Sequence, residues 1–175
     1  RAWRDSSSTG TAPPGSKPGT WVLPPDTHPT SIRALIYHEA RSEERIITSS
    51  AELERMTLRH LLTMSSGIRY REGGFPSLGD DTYTYYGVDL RDVALNRTRI
   101  QQPPGLAWVY NNYNPLLLGL VLERTTRTSV SDFMAKTLWQ PLGAEAAATW
   151  SLDSERSGFE KMESGLNARP VDYAR

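Results

Sequence analysis

The chain passes from a turn into an apolar helix at Pro103-Pro104-Gly105-Leu106-Ala107-Trp108-Val109-Tyr110-Asn111-Asn112-Tyr113-Asn114-Pro115, followed by Leu116-Leu117-Leu118-Gly119-Leu120-Val121-Leu122-Glu123-Arg124. The Pro-Pro-Gly opening breaks regular structure, and the residues up to Val109 favour a short extended run. Pro115 is predicted at the first helical position with Asn114 as the cap, because proline loses nothing there. The helix that follows is apolar on nearly every side, which predicts burial. The turn would then hold Tyr110 and Asn112 at the rim of a fixed, packed element.

The segments on either side of this stretch predict short helices separated by loops. Thr57 is expected to cap a helix with leucines at helical spacing, and Gly67 to end it with a positive φ. Residues 70–87 show no clear periodicity and are expected to form a long aromatic loop, either at the mouth of a cleft or anchored on the surface. Residues 88–96 predict another short helix, and a capping box at residues 129–132 predicts the start of a further one.

Composition argues against several classes of protein. The 175 residues are enough for one domain with a core, and 20 Lys and Arg balance 20 Asp and Glu, which argues against a nucleic-acid binder. With no cysteine and three scattered histidines, neither a disulfide nor a metal site is expected. No apolar run approaches the ~20 residues of a membrane span, and the first residues lack a signal-peptide core. A cytoplasmic or a periplasmic location, and any oligomeric state, therefore stay open.

The first 30 residues differ in composition from the rest of the chain. They contain Ser6-Ser7-Ser8-Thr9-Gly10 and Pro13-Pro14-Gly15-Ser16-Lys17-Pro18-Gly19. Such segments have too few apolar side chains to offset the entropy of ordering. We therefore expect residues 1–30 to form a disordered tail and residues 31–175 to form the folded domain.

Four segments in order resemble one family. Tyr110-Asn111-Asn112 is similar to the Tyr-x-Asn element of the serine β-lactamase and penicillin-binding protein superfamily, in its class C, esterase and peptidase branches. The Pro-Gly approach, the Leu-Leu-Gly helix and the Pro-Leu-Gly stop around it resemble the family as well. The other segments are residues 57–67, 150–153 and 165–175, and the last two look most like the 6-aminohexanoate-dimer hydrolase branch. The resemblance covers about residues 55–175.

This resemblance implies a fold, a reaction and two site residues. The implied fold is α+β, of the β-lactamase/transpeptidase type, with this chain forming mostly the helical subdomain and few short strands. The family cleaves amides, esters or small peptides through an acyl-enzyme on a Ser of Ser-x-x-Lys, beside a Lys-Thr-Gly or His-x-Gly strand. On the resemblance, Tyr110 is the catalytic proton-transfer residue, and Asn112 binds and orients the substrate. The implied partner is a small-molecule amide or ester substrate, and no metal or organic cofactor is implied.

The sequence departs from this family at two of its elements. Lys occurs only at positions 17, 136 and 161, no Ser stands three residues before any of them, and neither Lys-Thr-Gly nor His-x-Gly occurs. A free tyrosine, with a pKa near ~10, becomes a base only beside a cation such as Lys. Tyr110 would therefore need a partner that this sequence lacks. We expect an incomplete serine hydrolase domain, either the middle of a longer enzyme or a copy whose 5′ portion has been lost.

Other interpretations stay open at this point. A non-catalytic homologue or fragment that acts in binding only is favoured by the missing Ser-x-x-Lys, whereas an unrelated helical interaction domain would need four coincident segments. Ser65 and Ser66 offer hydroxyls, but a turn at a helix end explains them. His60 is typical of a packed or surface histidine, and Tyr110 without the resemblance would be interpreted as a buried strand tyrosine.

Overall fold

The structure, a computed structural model, describes residues 54–73 and 79–174. Its helices are α1 (Leu58–Leu62), α2 (Asp80–Tyr86), α3 (Leu90–Arg97), α4 (Tyr113–Thr126), α5 (Val130–Met134) and α6 (Pro170–Tyr173). A π-helical turn, Ala135–Trp139, continues α5. The strands β1 (Thr149–Trp150) and β2 (Leu166–Asn167) pair antiparallel. The expected tail at residues 1–30 lies outside the described part of the chain.

The core is built around α4. This helix packs against α1, α3 and α5, and half of its residues are buried, all of them before Leu122. Its leucines meet Leu61 of α1 and Val93 of α3 in one cluster. Burial on several sides accounts for the nearly uniform apolar sequence of α4, since a helix with one solvated face would show polar residues there. The prediction of a buried helix is therefore confirmed.

Gly119 allows a second layer to approach α4 closely. A Cβ at this position would lie 2.5 Å from Met162 Cγ and 3.0 Å from Phe159 Cζ. The backbone around Phe159 is held by an antiparallel bridge between Leu152 and Glu160. Because Gly119 has no side chain, the connection between β1 and β2 can pack directly on α4.

The described residues are mostly helical, with few and short strands. Thr149 pairs with Asn167 and Trp150 with Leu166. The Trp150 indole N–H donates to the carbonyl oxygens of Lys161 and Ser164, at 2.9 and 3.1 Å, which closes the connection between the strands. This architecture confirms the expectation of an α+β fold represented mainly by helices.

Local capping signals locate two helices correctly. The Thr57 hydroxyl accepts from the His60 N–H, and His60 Nδ1 accepts from the Thr57 N–H, so both halves of a capping box are present before α1. The Ser129 hydroxyl accepts from the Asp132 N–H at 3.1 Å before α5. Gly67 has the predicted positive φ of 76°, although α1 itself ends five residues earlier.

Two predictions of local structure are wrong. The stretch 70–87 is not one long loop, because residues 80–86 form α2. Pro115 is not the first helical residue, since α4 begins at Tyr113. The short helix predicted at residues 88–96 exists but is shifted, with Asp89 as its cap and Arg97 as its last residue.

The packing of α4 generates a prediction about stability. Leu120 is 2% exposed, so its replacement by Ala removes buried methyl groups and leaves a cavity. Leu120→Ala should lower the free energy of unfolding by about 2–5 kcal/mol. Urea unfolding followed by circular dichroism measures the change.

Leu62 provides the matched control, because it is 68% exposed on α1. Leu62→Ala should change the free energy of unfolding by less than about 0.5 kcal/mol. Equal effects of the two substitutions would contradict the central position of α4.

Candidate active site

The turn after α1 binds, through backbone hydrogen bonds, the residues that precede α4. The Gly105 N–H donates to the Ser65 carbonyl oxygen at 2.7 Å, and the Val109 N–H donates to the Met64 carbonyl oxygen at 2.8 Å. The Asn114 side chain donates to Met64 Sδ at 3.0 Å. Residues 57–67 and the Tyr-x-Asn stretch, which the sequence only placed in the same order, are thus in direct contact.

Asn111 holds the first turn of α4. Its Oδ1 accepts from the Asn114 N–H at 3.0 Å, and its Nδ2 donates to the Val109 carbonyl oxygen at 3.4 Å. The backbone of Asn112 is already helical, with φ −79° and ψ −15°. Asn111 therefore acts as the cap of α4, three residues before the predicted Asn114.

Tyr110 lies at the surface beside this cap. Its side chain is 50% exposed, and no residue in the described part of the chain hydrogen-bonds its hydroxyl. Leu106 and Trp108 of the same segment are exposed as well, at 68% and 69%. The interpretation of Tyr110 as a buried strand tyrosine is wrong, because residues 105–110 form no strand and its ring is half in solvent.

Asn112 points inwards and is 1% exposed. Its Nδ2 donates to the Thr84 hydroxyl oxygen at 3.1 Å. None of the described residues donates a hydrogen bond to its Oδ1, which is also shielded from solvent. A buried acceptor without a donor costs about 1–3 kcal/mol, so an unpaired oxygen of this kind points to a functional role or an absent partner.

Two tyrosines, Tyr70 and Tyr113, pack inside the protein next to the first turn of α4. The Tyr113 hydroxyl donates to Asp80 Oδ1 at 2.9 Å, and the Tyr70 ring meets the Tyr113 ring edge-on at 5.9 Å. Burial raises the pKa of Tyr113 above its usual range, and the Asp80 carboxylate adds to this. Burial also raises the pKa of Tyr70 to about 12, against the opposing effect of a hydrogen bond with Thr84. Both phenols therefore stay protonated and support the site structurally.

The other candidate residues have structural partners. The Ser65 and Thr63 hydroxyls lie 2.8 Å apart, and the buried Ser66 hydroxyl accepts from the Ile68 N–H at 3.4 Å. His60 is half-buried and is part of the capping box of α1. Among residues 54–73 and 79–174, no three His, Asp or Glu side chains converge as metal ligands. The turn at Ser65 and Ser66 therefore has the structural role that a helix end predicts.

Three residues of this arrangement were missed from the sequence. Asn111 was passed over because three asparagines stand within four positions, and each is an acceptable cap. Thr84 and Asp80 reach the site from α2, which sequence patterns did not predict. Aspartates at positions 80 and 81, in a good first turn for a helix, were the one local signal for it.

The fold and the sequence are both related to a known family. The Beta-lactamase family model matches residues 48–174, and the chain belongs to this family. A structure of a putative 6-aminohexanoate-dimer hydrolase from Bacillus anthracis superimposes with a TM-score of 0.66 at 20% identity. A penicillin-binding protein structure from Bacillus halodurans gives 0.52, also at 20% identity. Penicillin-binding protein 4* of Bacillus subtilis (strain 168) is 28% identical over 89 residues.

The chain spans only part of each of these relatives. The match takes in 50% of this chain but 20% of penicillin-binding protein 4*. The two solved structures match 83% and 69% of this chain, which correspond to 39% and 46% of their own lengths. Their likeness confirms the expected β-lactamase-type fold. No helix among the described residues is long and apolar enough to cross a bilayer.

The buried tyrosines generate a prediction about alkaline stability. In the unfolded chain tyrosine ionises near pH ~10, whereas Tyr70 and Tyr113 hold their protons to higher pH when folded. Between about pH 10 and 12 the folded state binds more protons, so the free energy of unfolding should fall as pH rises. Their contribution should be complete below about pH 10. Urea unfolding at several pH values in this range measures the slope.

Tyr113→Phe should make this slope shallower, because it removes one of the shifted groups. Tyr86 is 80% exposed, so Tyr86→Phe serves as the control and should leave the slope unchanged. A Tyr113→Phe protein with the same slope as the unaltered chain would contradict the assignment.

Proposed function

We propose that Tyr110 and Asn112 form one wall of a serine hydrolase active site that acts on a small amide, ester or peptide. The observation that carries this proposal is the unpaired, buried Oδ1 of Asn112, two residues after Tyr110, whose side chain is half exposed. One is an acceptor without a donor, and the other is a donor without a partner. A substrate amide N–H or a lysine ammonium would supply what Asn112 lacks.

In this proposal the two residues divide the work of acyl transfer. A Ser hydroxyl attacks the carbonyl carbon and forms an acyl-enzyme, and its proton is passed to the leaving nitrogen or oxygen. Tyr110 relays that proton, while Asn112 accepts a hydrogen bond and fixes the substrate. Water then adds to the acyl-enzyme and releases the acid. The Ser and its Lys would come from a Ser-x-x-Lys element, which is not among these 175 residues.

A cation beside Tyr110 is the main requirement of this chemistry. Tyrosine with its reference pKa near ~10 is ionised to about one part in a thousand at pH 7. Lowering that pKa to 7 takes about 4 kcal/mol, which a nearby ammonium can provide. The ammonium of Lys161 donates instead to the Tyr85 carbonyl oxygen at 2.7 Å. The proposal therefore places the activating Lys on the same missing element as the nucleophile.

Binding without catalysis is the second candidate function. It is favoured by the structural hydrogen bonds of Ser65 and Ser66, neither of which is paired with a Lys, His, Asp or Glu side chain in the described residues. On this alternative the unpaired Oδ1 of Asn112 would still accept a hydrogen bond from a ligand. It would perform no bond cleavage.

The first test is turnover by the chain itself and by a completed enzyme. The 175-residue chain alone should hydrolyse β-lactams, short-chain esters and aminohexanoate oligomers no faster than a matched inert protein, because it has no activated nucleophile. Adding a Ser-x-x-Lys helix and a Lys-Thr-Gly or His-x-Gly strand from a relative should produce turnover. In that enzyme Tyr110→Phe should lower the rate by about 10²–10⁴-fold, and Asn112→Ala should lower it less.

Tyr173 provides a control that is matched to Tyr110 in exposure, at 53% against 50%. Tyr173→Phe should leave the rate of the completed enzyme unchanged. A completed enzyme that is indifferent to Tyr110→Phe would overturn the role of Tyr110. Turnover by the unaltered chain that disappears on changing Ser65 or Ser66 would show that the nucleophile is in this chain.

A further inference from the structure

The contact between Thr84 and Asn112 joins two distant parts of the chain inside the core. Thr84 is fully buried on α2, and Asn112 lies 28 residues later at the start of α4. The Thr84 hydroxyl donates to the Asp81 carbonyl oxygen at 3.1 Å and accepts from Asn112 Nδ2. It is the only side chain in the described residues that hydrogen-bonds the Asn112 side chain.

This hydrogen bond determines which way the Asn112 amide faces. A hydroxyl has one hydrogen, and the Asp81 carbonyl oxygen and the Tyr70 phenol oxygen are both placed to accept that of Thr84, so its oxygen is left as an acceptor for Asn112. The group that Asn112 presents to it must then be the NH₂. The Oδ1 atom is consequently turned to the other side, where no described residue donates to it.

The position of α2 is fixed independently of Asn112. The Asp80 carboxylate accepts from the Tyr113 hydroxyl at 2.9 Å and from the Arg71 N–H at 2.9 Å. Asp81 accepts from the Gly73 N–H at 2.7 Å. These bonds attach the first turn of α2 to α4 and to the segment that precedes α2. Thr84 lies one turn further along α2, so its position is fixed by contacts other than the one with Asn112.

We propose that Thr84 is the positioning residue for Asn112, which keeps the amide oxygen of Asn112 turned towards the substrate side of the site. The inference rests on the proposed function for the meaning of that side, but the orientation itself is independent of it. Without the Thr84 hydroxyl, no described residue distinguishes the oxygen of the Asn112 carboxamide from its nitrogen. It would then populate both flips, and the acceptor would be correctly placed only part of the time.

The test uses the 175-residue chain and nuclear magnetic resonance of the Asn112 side-chain NH₂ group. Thr84→Val keeps the shape of the side chain and removes the hydroxyl, so exchange of the Asn112 Nδ2 protons with water should accelerate about threefold to tenfold, which is the range for one hydrogen bond. Thr84→Ser retains the hydroxyl and should restore slow exchange. Equal exchange in the unaltered chain and in Thr84→Val would overturn the proposal.

Thr98 supplies the matched control. It is a buried threonine whose hydroxyl donates to the Ala94 carbonyl oxygen, so Thr98→Val has a similar cost without touching Asn112. It should leave the Asn112 side-chain exchange as it is in the unaltered chain. If Thr98→Val accelerates that exchange as much as Thr84→Val does, the effect is a general loosening and the positioning role is wrong.

One measurement needs no variant and remains decisive if Thr84→Val does not fold. In the unaltered chain, the Asn112 Nδ2 protons should show a nuclear Overhauser contact to the Thr84 methyl group, and its absence would overturn the proposal. These measurements do not depend on catalysis, so the positioning role of Thr84 and the proposed function can be overturned independently of each other. A confirmed Thr84 effect together with a completed enzyme indifferent to Asn112→Ala would overturn only the proposed function.

Discussion

The candidate site depends on burying the first turn of α4. A helix begins with backbone N–H groups that have no partner in the helix, and burying them unpaired costs about 1–3 kcal/mol each. The Asn111 side chain accepts one of them, and Pro115, within the same turn, has none to offer. With the backbone satisfied in this way, Tyr113 and Asn112 can enter the core while Tyr110, just before the cap, stays at the surface. The division between an inward asparagine and an outward tyrosine follows from where the helix begins.

The sequence predicted those parts of the fold whose causes are local. The apolar run of α4 and the caps at Thr57 and Ser129 each consist of neighbouring residues, and the structure confirms all of them. The start of α4 could not be assigned in the same way. Asn111, Asn112 and Asn114 have similar cap propensities, and the choice among them depends on burying Tyr113 against Asp80 of another helix.

Helix α2 shows why the sequence alone did not predict the contribution of Asp80 and Thr84 to the site. Its residues are aspartates, threonines and tyrosines, which are all mediocre in helix propensity, and apolar periodicity is absent. Its stability comes from contacts that are distant in sequence, including the Asp80–Tyr113 hydrogen bond and the Arg97 guanidinium 3.5 Å above the Tyr83 ring. The Tyr-x-Asn element can be recognised in the sequence because its residues are adjacent. The threonine that contacts it could only be found once α2 was placed in three dimensions.

Trp108 is the exposed tryptophan of the part of the chain that the structure describes, and it stands next to the candidate site. The other tryptophans in the described part of the chain, Trp139 and Trp150, are buried, and each donates its indole N–H to a backbone carbonyl oxygen. Trp108 stands two residues before Tyr110 with most of its ring in water. A molecule that binds over this exposed segment would shield the Trp108 indole from water. In a chain with Trp3 and Trp21 replaced by Phe, the long-wavelength part of the intrinsic fluorescence, and its quenching by acrylamide, would therefore report occupancy of the site without any label.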